Sequence, residues 1–172
     1  GYWGRAGASV FDNLEILDWA TDGKIDLWAD PKIQNMARFI YRAQIDDHYF
    51  VNFADASGWV TPSASLAYRF GKRIDDSAMS AMGAWSARET NIAEKGFTDS
   101  ISRQLPALFT AAELLDSEPG HALLRDVYLP GIQFAASRDT EGSARGLYFA
   151  AKGGHNAESH NHNDIGTFIL YV

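Results

Sequence analysis

The chain has no cysteine among its 172 residues, which removes disulfides, thiolate metal ligands and a cysteine nucleophile. The compartment stays open, because many exported proteins also lack disulfides. No stretch approaches the ~20 apolar residues of a membrane span, so no membrane partner is expected. Nor is there a Lys/Arg-rich run. With a formal net charge of −7, the composition argues against binding a phosphate backbone and therefore against a nucleic-acid partner. An acidic sugar in a locally basic pocket remains compatible. Low-complexity segments and a Pro-rich linker are also missing, so the two halves of the pattern described below are expected to pack directly.

What is present is ample for a packed core: 46% of the residues are hydrophobic and 13% aromatic. The first residue is Gly1 in place of Met, and the last seven, GTFILYV, read as an apolar strand with no polar tail. A strand left at an end exposes an edge that proteins normally cover. The sequence is therefore read as a piece cut from a longer protein, with partner strands downstream.

From Gly1 to about Leu124 the periodicity is helical. Near Ala6 to Thr21, Val10, Leu14 and Leu17 share a face, and Asp22 with Gly23 supplies the stop. Asp30 followed by Pro31 is a cap and first-turn pair, after which Ile33, Met36, Ile40 and Ala43 continue one stripe. YFVNFADASGW reads as an extended stretch and loop. Thr61 and Pro62 repeat the cap pattern before a helix to about Arg73, and another helix is predicted over Ser77 to Lys95. The clearest stripe is Ile101, Leu105, Leu108, Ala112 and Leu115, with Pro106 as a kink or late start.

From Asp126 the period changes. DVYLPGIQFAAS, GLYFAAK and GTFILYV are short β-prone runs, with DTEGSAR as a hairpin turn between the first two. Helices followed by strands point to an α+β multidomain chain, with residues 1–125 helical and 126–172 antiparallel strands.

Chemistry concentrates in GGHNAESHNHND. It holds His155, His160 and His162, three of the five histidines, with Asn156, Glu158, Asn161, Asn163 and Asp164, directly before the last strand. So many donors and acceptors need water, a metal or a polar ligand. In extended backbone, residues two apart point to one side, so His160 and His162 would offer both imidazoles to one site. Two histidines do not close a tetrahedral zinc shell, so Asp164 or residues beyond Val172 would have to contribute. The plainer alternative is a solvated turn, braced by Asn161 and Asn163 through side-chain bonds to backbone. His155 is divided between site and loop support, and Glu158 between orienting a histidine, contacting sugar hydroxyls and ordinary surface. Trp59 has two readings, a sugar-stacking ring or core, while His48 and His121 read as ordinary surface positions. HNHND also fits five places of the His-x-His-x-Asp-His loop of metallo-β-lactamase-type hydrolases, but the sixth place is Ile165.

Gly153, Gly154, Asn156, Glu158, Ser159, His160, Asn161, His162, Asn163, Asp164, Gly166 and Phe168 together resemble the loop that opens the β-domain of heparinase II/III-like polysaccharide lyases. WVTPSASLAYRFGKR and the opening GYWGRAGASVFDNL resemble that family's helical toroid. The resemblance implies a partial (α/α) toroid over 1–125 and the first strands of an antiparallel β-sandwich over 126–172. It implies His160 and Tyr2 as catalytic residues, His155, Asn156 and Glu158 around the substrate, and His162 as a ligand of a structural zinc whose other ligands lie after Val172. A second catalytic region of the family, an Asn-His-rich loop earlier in the toroid, has no counterpart here. The implied partner is an acidic polysaccharide or oligosaccharide, and the implied location is bacterial, periplasmic or secreted.

The implied reaction is β-elimination of a uronate-containing glycan. Its C5 proton is a poor acid, because removing it adds charge beside a carboxylate that already carries one. Imidazole and amide donors can balance that carboxylate, which is often the largest contribution to catalysis. A tyrosine phenolate can take the C5 proton and return one to O4, each transfer contributing ~10²- to 10⁴-fold. A carbohydrate-binding homologue without turnover and a zinc-dependent hydrolase are the alternatives.

Overall fold

In the computed structural model of the protein, residues 2–172 are described; Gly1 of the opening Gly-Tyr-Trp lies outside the described residues. Among the described residues the chain forms six helices and two antiparallel sheets, a mixed architecture compatible with α+β. The chain divides by contacts into two units. One comprises Trp3–Tyr41 and Thr61–His121; the other takes Tyr2, Arg42–Val60 and Ala122–Val172.

The helical unit carries α1 (Trp3–Ala20), α2 (Pro31–Arg42, whose last residue falls in the other unit), α3 (Ala64–Arg73), α4 (Ser77–Glu89), α5 (Ile92–Lys95) and α6 (Ile101–Asp116). Its boundaries are set by local chemistry. Asp30 Oδ1 accepts from the Lys32 amide at 2.7 Å, so the Asp-Pro cap opens α2 as the sequence suggests. At α3 the cap is Ser63 instead of Thr61, its Oγ accepting from the Leu66 amide, because Pro62 lies outside the helix. Asp76 caps α4 through Met79 at 3.0 Å. The helix predicted over Ser77 to Lys95 is two pieces, since Asn91 adopts a left-handed φ of 52° that breaks the ladder.

α3 and α4 pack closely because Gly83 faces α3: a Cβ there would lie 2.6 Å from the Tyr68 amide nitrogen. Ala64, Tyr68, Ala84, Ala87 and Leu114 form one buried cluster. Phe11 of α1 stacks 4.8 Å from Phe70, with the Arg69 guanidinium 4.9 Å from the Phe11 ring and paired to Glu15. Two predicted stripes are displaced. In α1 the buried face is Gly7, Ala8, Phe11 and Leu14, and in α6 it is Ala107 and Leu114. Ile101, Leu105, Leu108 and Phe109 of α6 are exposed instead. Spacing identifies a face, whereas the neighbouring helix decides which face is covered.

The second unit holds β1 (Gln44–Asp46) paired with β2 (Tyr49–Phe50), and a four-stranded antiparallel sheet of β3 (Asp126–Leu129), β4 (Phe134–Arg138), β5 (Tyr148–Lys152) and β6 (Phe168–Tyr171) in that order. The run DVYLPGIQFAAS is two strands, turned at Pro130 and Gly131, so that Leu129 pairs with Phe134. DTEGSAR lies in the β4–β5 connection, as expected for the second hairpin. Alternation puts Val127, Phe134, Ala136, Tyr148 and Ala150 on the covered face, where they meet Ile45 and Val51. Arg138 is buried among them and stays satisfied by donating to the carbonyls of Gln44, Ile45, Leu124 and Ser143.

Candidate functional site

The histidine loop leaves β5 at Lys152 and returns at Phe168, and it is fastened at both ends. Gln133, in the β3–β4 turn, receives the amides of Gly153 and Gly154 on its carbonyl and its Oε1, at 2.7 and 3.0 Å. Gly154 has φ 94°, and a Cβ there would lie 2.5 Å from Glu158 Oε1. That position suits glycine on both counts. At the far end the Gly166 amide donates to Lys152 at 2.9 Å, and the Lys152 amide to Thr167 at 3.1 Å.

Inside the loop the amides and carboxylates act as braces. Asn161 donates to the His155 carbonyl at 3.1 Å and accepts from the Asp164 amide at 3.0 Å. Asp164 Oδ2 accepts from the Ala54 amide at 2.6 Å, tying the loop to the Val51–Val60 segment. Glu158 forms an ion pair with Lys152 at 2.6 Å, whose side chain is only 10% exposed. That ammonium holds the Glu158 carboxyl below the usual carboxylate range. The partner of the Glu158 carboxylate is thus the lysine, where one reading of the sequence had it orienting a histidine. His155 and Asn156 are exposed, the former supplying its carbonyl to the brace.

The tie to residue 54 brings in a carboxylate with no signal of its own along the chain. Asp55 receives both predicted imidazoles, one on each oxygen: His160 Nδ1 at 2.7 Å from Oδ2 and His162 Nε2 at 2.5 Å from Oδ1. Tyr2 joins the same group, its hydroxyl donating to Oδ2 at 3.4 Å and its ring lying 4.6 Å from the His160 ring at a 46° tilt. The two histidines converge, but not along an extended strand. His160 has a left-handed φ of 61° and Asn163 one of 62°, so the backbone turns the imidazoles in.

The electrostatics fix the protons. The hydrogen bonds from His160 first, and then from His162, lower the Asp55 pKa from its ordinary value, so Asp55 is an acceptor at neutral pH. Each facing ring nitrogen must then carry the hydrogen. His160 donates through Nδ1–H, with Nε2 as its second working atom, the arrangement by which a carboxylate orients a catalytic imidazole. His162 is held through Nε2–H.

Among the described residues no group of three or more His, Cys, Asp or Glu side chains is arranged to hold a metal ion. The Nε2 of His162 faces Asp55 and the Oδ2 of Asp164 faces backbone, bonds that leave Nδ1 and Oδ1 as the other donor atoms of these two residues. The residues described supply one expected ligand, His162, and do not by themselves make a zinc shell. Two histidines expected at ordinary surface positions are in aromatic contacts, His48 stacked on Trp59 and His121 edge-on to Trp85.

No family model matches the chain, and no curated protein does.

Proposed function

We propose that the protein is a carbohydrate-active carbon–oxygen lyase. More particularly, it is a polysaccharide lyase of the heparinase II/III-like kind, cleaving a uronate-containing acidic glycan by β-elimination. In this reading residues 1–125 are part of an (α/α) toroid and 126–172 the first strands of a β-sandwich, in a periplasmic or secreted bacterial protein. The observation that carries it is the meeting of Tyr2, His160 and His162 around one carboxylate. Asp55 takes Nδ1–H of His160, and the remaining ring nitrogen, Nε2, is a donor suited to a uronate carboxylate when the ring is the imidazolium.

Each residue has a definite task. Asp55 orients His160 through Nδ1–H; Nε2 donates to the substrate carboxylate when the ring is the imidazolium or, as the bare nitrogen of the neutral ring, takes the C5 proton of the other C5 epimer. The Tyr2 oxygen as phenolate takes the C5 proton; the released pair forms the C4=C5 double bond while C4–O4 breaks, and the phenol returns its proton to O4. Charge developing on the C5 carboxylate group is stabilised by Nε2–H of the His160 imidazolium. His155 and Asn156 on the exposed rim, with the neutralised Lys152–Glu158 pair behind them, are the proposed substrate contacts. Zinc enters only as a structural ion on His162, and no step runs through it. Metal analysis of the purified protein, with His162→Ala as the control, checks that part.

A second reading, a carbohydrate-binding homologue without turnover, is favoured by Asp55 taking up both imidazoles and the phenol hydroxyl at once. The test separates them. The protein is mixed with heparan sulfate, alginate and other uronate polymers and followed by the ultraviolet absorbance of the unsaturated product. Absorbance that vanishes in Tyr2→Phe supports the lyase. Binding of a uronate polymer with no absorbance supports the second reading.

A further inference from the structure

Trp59 lies outside the histidine site but in the same unit, on the loop that carries Asp55. The residue is 56% exposed, unlike a core aromatic. It is nevertheless held on two sides. The His48 ring stacks on one face at 4.5 Å and 21°, and Tyr49 meets it edge-on at 5.0 Å and 88°. The backbone beneath is equally fixed. Tyr49 and Trp59 form an antiparallel bridge, the Phe50 amide donates to Gly58 at 3.0 Å, and the Val60 amide donates to His48 at 2.9 Å. Ser57 Oγ both donates to the Trp59 carbonyl and accepts from its amide, at 2.9 and 3.2 Å.

What distinguishes Trp59 from the chain's other exposed aromatics is that His48 and Tyr49 hold it in one orientation, so a ligand need not order it. Its rotamer entropy has been lost before any ligand arrives. The ligand that fits one flat aromatic face is a pyranose ring, whose axial C–H groups form an apolar face while its equatorial hydroxyls stay in water. Position agrees. Trp59 lies four positions after Asp55, and at ~3.3–3.6 Å per residue their Cα atoms are at most ~14 Å apart. An oligosaccharide filling the His160 site reaches that far.

We infer that Trp59, backed by His48 and Tyr49, is a sugar-stacking subsite that binds a pyranose of the same glycan chain a short distance from the ring at His160. This rests on the proposed lyase reading for the identity of the glycan, though not for the platform itself.

The test is calorimetric titration of the protein, Trp59→Ala and Trp59→Phe with mannuronate dimer and tetramer, and with cellotetraose as a neutral probe. In the wild type the tetramer is expected to bind more tightly than the dimer. Trp59→Ala should lose about 3- to 10-fold in tetramer affinity and Trp59→Phe less, with dimer affinity unchanged in both. Circular dichroism and the thermal midpoint establish that both variants fold. Should Trp59→Ala fail to fold, the Trp59→Phe comparison carries the test. Equal tetramer affinity across folded variants overturns the subsite and leaves the lyase reading standing. Cellotetraose binding that depends on Trp59, with no binding or turnover of any uronate, upholds the subsite and rejects the lyase reading. No binding of any of these sugars by the wild type overturns the subsite.

Discussion

His160 Nδ1 lies 2.7 Å from Oδ2 of Asp55, a residue 105 positions earlier in the chain. The consequence reaches beyond one hydrogen bond. His162 takes the other oxygen and Tyr2 approaches the first, so a single carboxylate organises every residue to which the proposed chemistry assigns a proton or a charge.

Replacing Asp55 with Asn should therefore damage the site more than the fold. The amide has one donor group where the carboxylate has a second acceptor, so it cannot accept from both imidazoles, and one ring loses its set tautomer. Turnover of the responsive uronate polymer is expected to fall by about 10²-fold or more. The ultraviolet assay reads this directly, and an unchanged rate would show that Asp55 orients nothing.

The same carboxylate sets a pH dependence at the acid end. Its folded pKa is lowered by the His160 and His162 bonds, so the folded state favours the ionised form more than the unfolded chain does. The stabilisation is complete above the unfolded carboxylate value near ~4 and is lost as pH falls through the lower folded value. Urea denaturation followed from pH 5 downward should show wild type and Asp55→Asn converging as acid is added. Curves that stay parallel would rule the linkage out.

At the alkaline end the relevant group is Tyr148. Burial pushes its phenol up to about 12, against a smaller opposing pull from Arg138 5.0 Å over the ring. The folded state thus keeps the proton that the unfolded chain releases near ~10, and stability should decline as pH rises from there to about 12. The Tyr148 hydroxyl is buried with no hydrogen-bond partner among the described residues. Tyr148→Phe should accordingly be neutral or stabilising at pH 7 and should flatten the alkaline decline. A thermal midpoint lowered by this substitution would contradict both statements.

Gly83 tests the helical unit. A Cβ at this position meets the Tyr68 amide nitrogen at 2.6 Å and the Ala64 carbonyl oxygen at 2.9 Å, both backbone atoms that move only if α3 moves. Gly83→Ala should cost about 1–3 kcal/mol in spite of the higher helix propensity of alanine. Gly4 makes the comparison, since nothing lies within 4 Å of its built Cβ. Gly4→Ala should not destabilise, and denaturant midpoints of the two variants decide the point.

Part of this was legible along the chain, for local reasons. The Asp30-Pro31 cap, the change of period near Asp126 and the turn at DTEGSAR depend on residues within a few positions of one another. The density of histidine and asparagine before the last strand marked the loop in which His160 and His162 meet one carboxylate. Where prediction failed, the missing information was the neighbour. The stripe Ile101, Leu105 and Leu108 is a genuine apolar face of α6, yet Ala107 and Leu114 are the residues covered. Glu158, for which orienting a histidine was one reading, pairs with Lys152.

Alone, then, the order of amino acids determined which segments become helix or strand and where imidazole chemistry could gather, because backbone preference, capping and alternation act over a few residues. Only the tertiary structure decided that Asp55 is the group on which Tyr2, His160 and His162 meet and that Trp59 stands half exposed against His48. Those contacts join residues far apart in sequence, and no periodicity encodes them. They exist because the folded unit closes the loop tied by Gln133 and Asp164 over the Val51–Val60 segment.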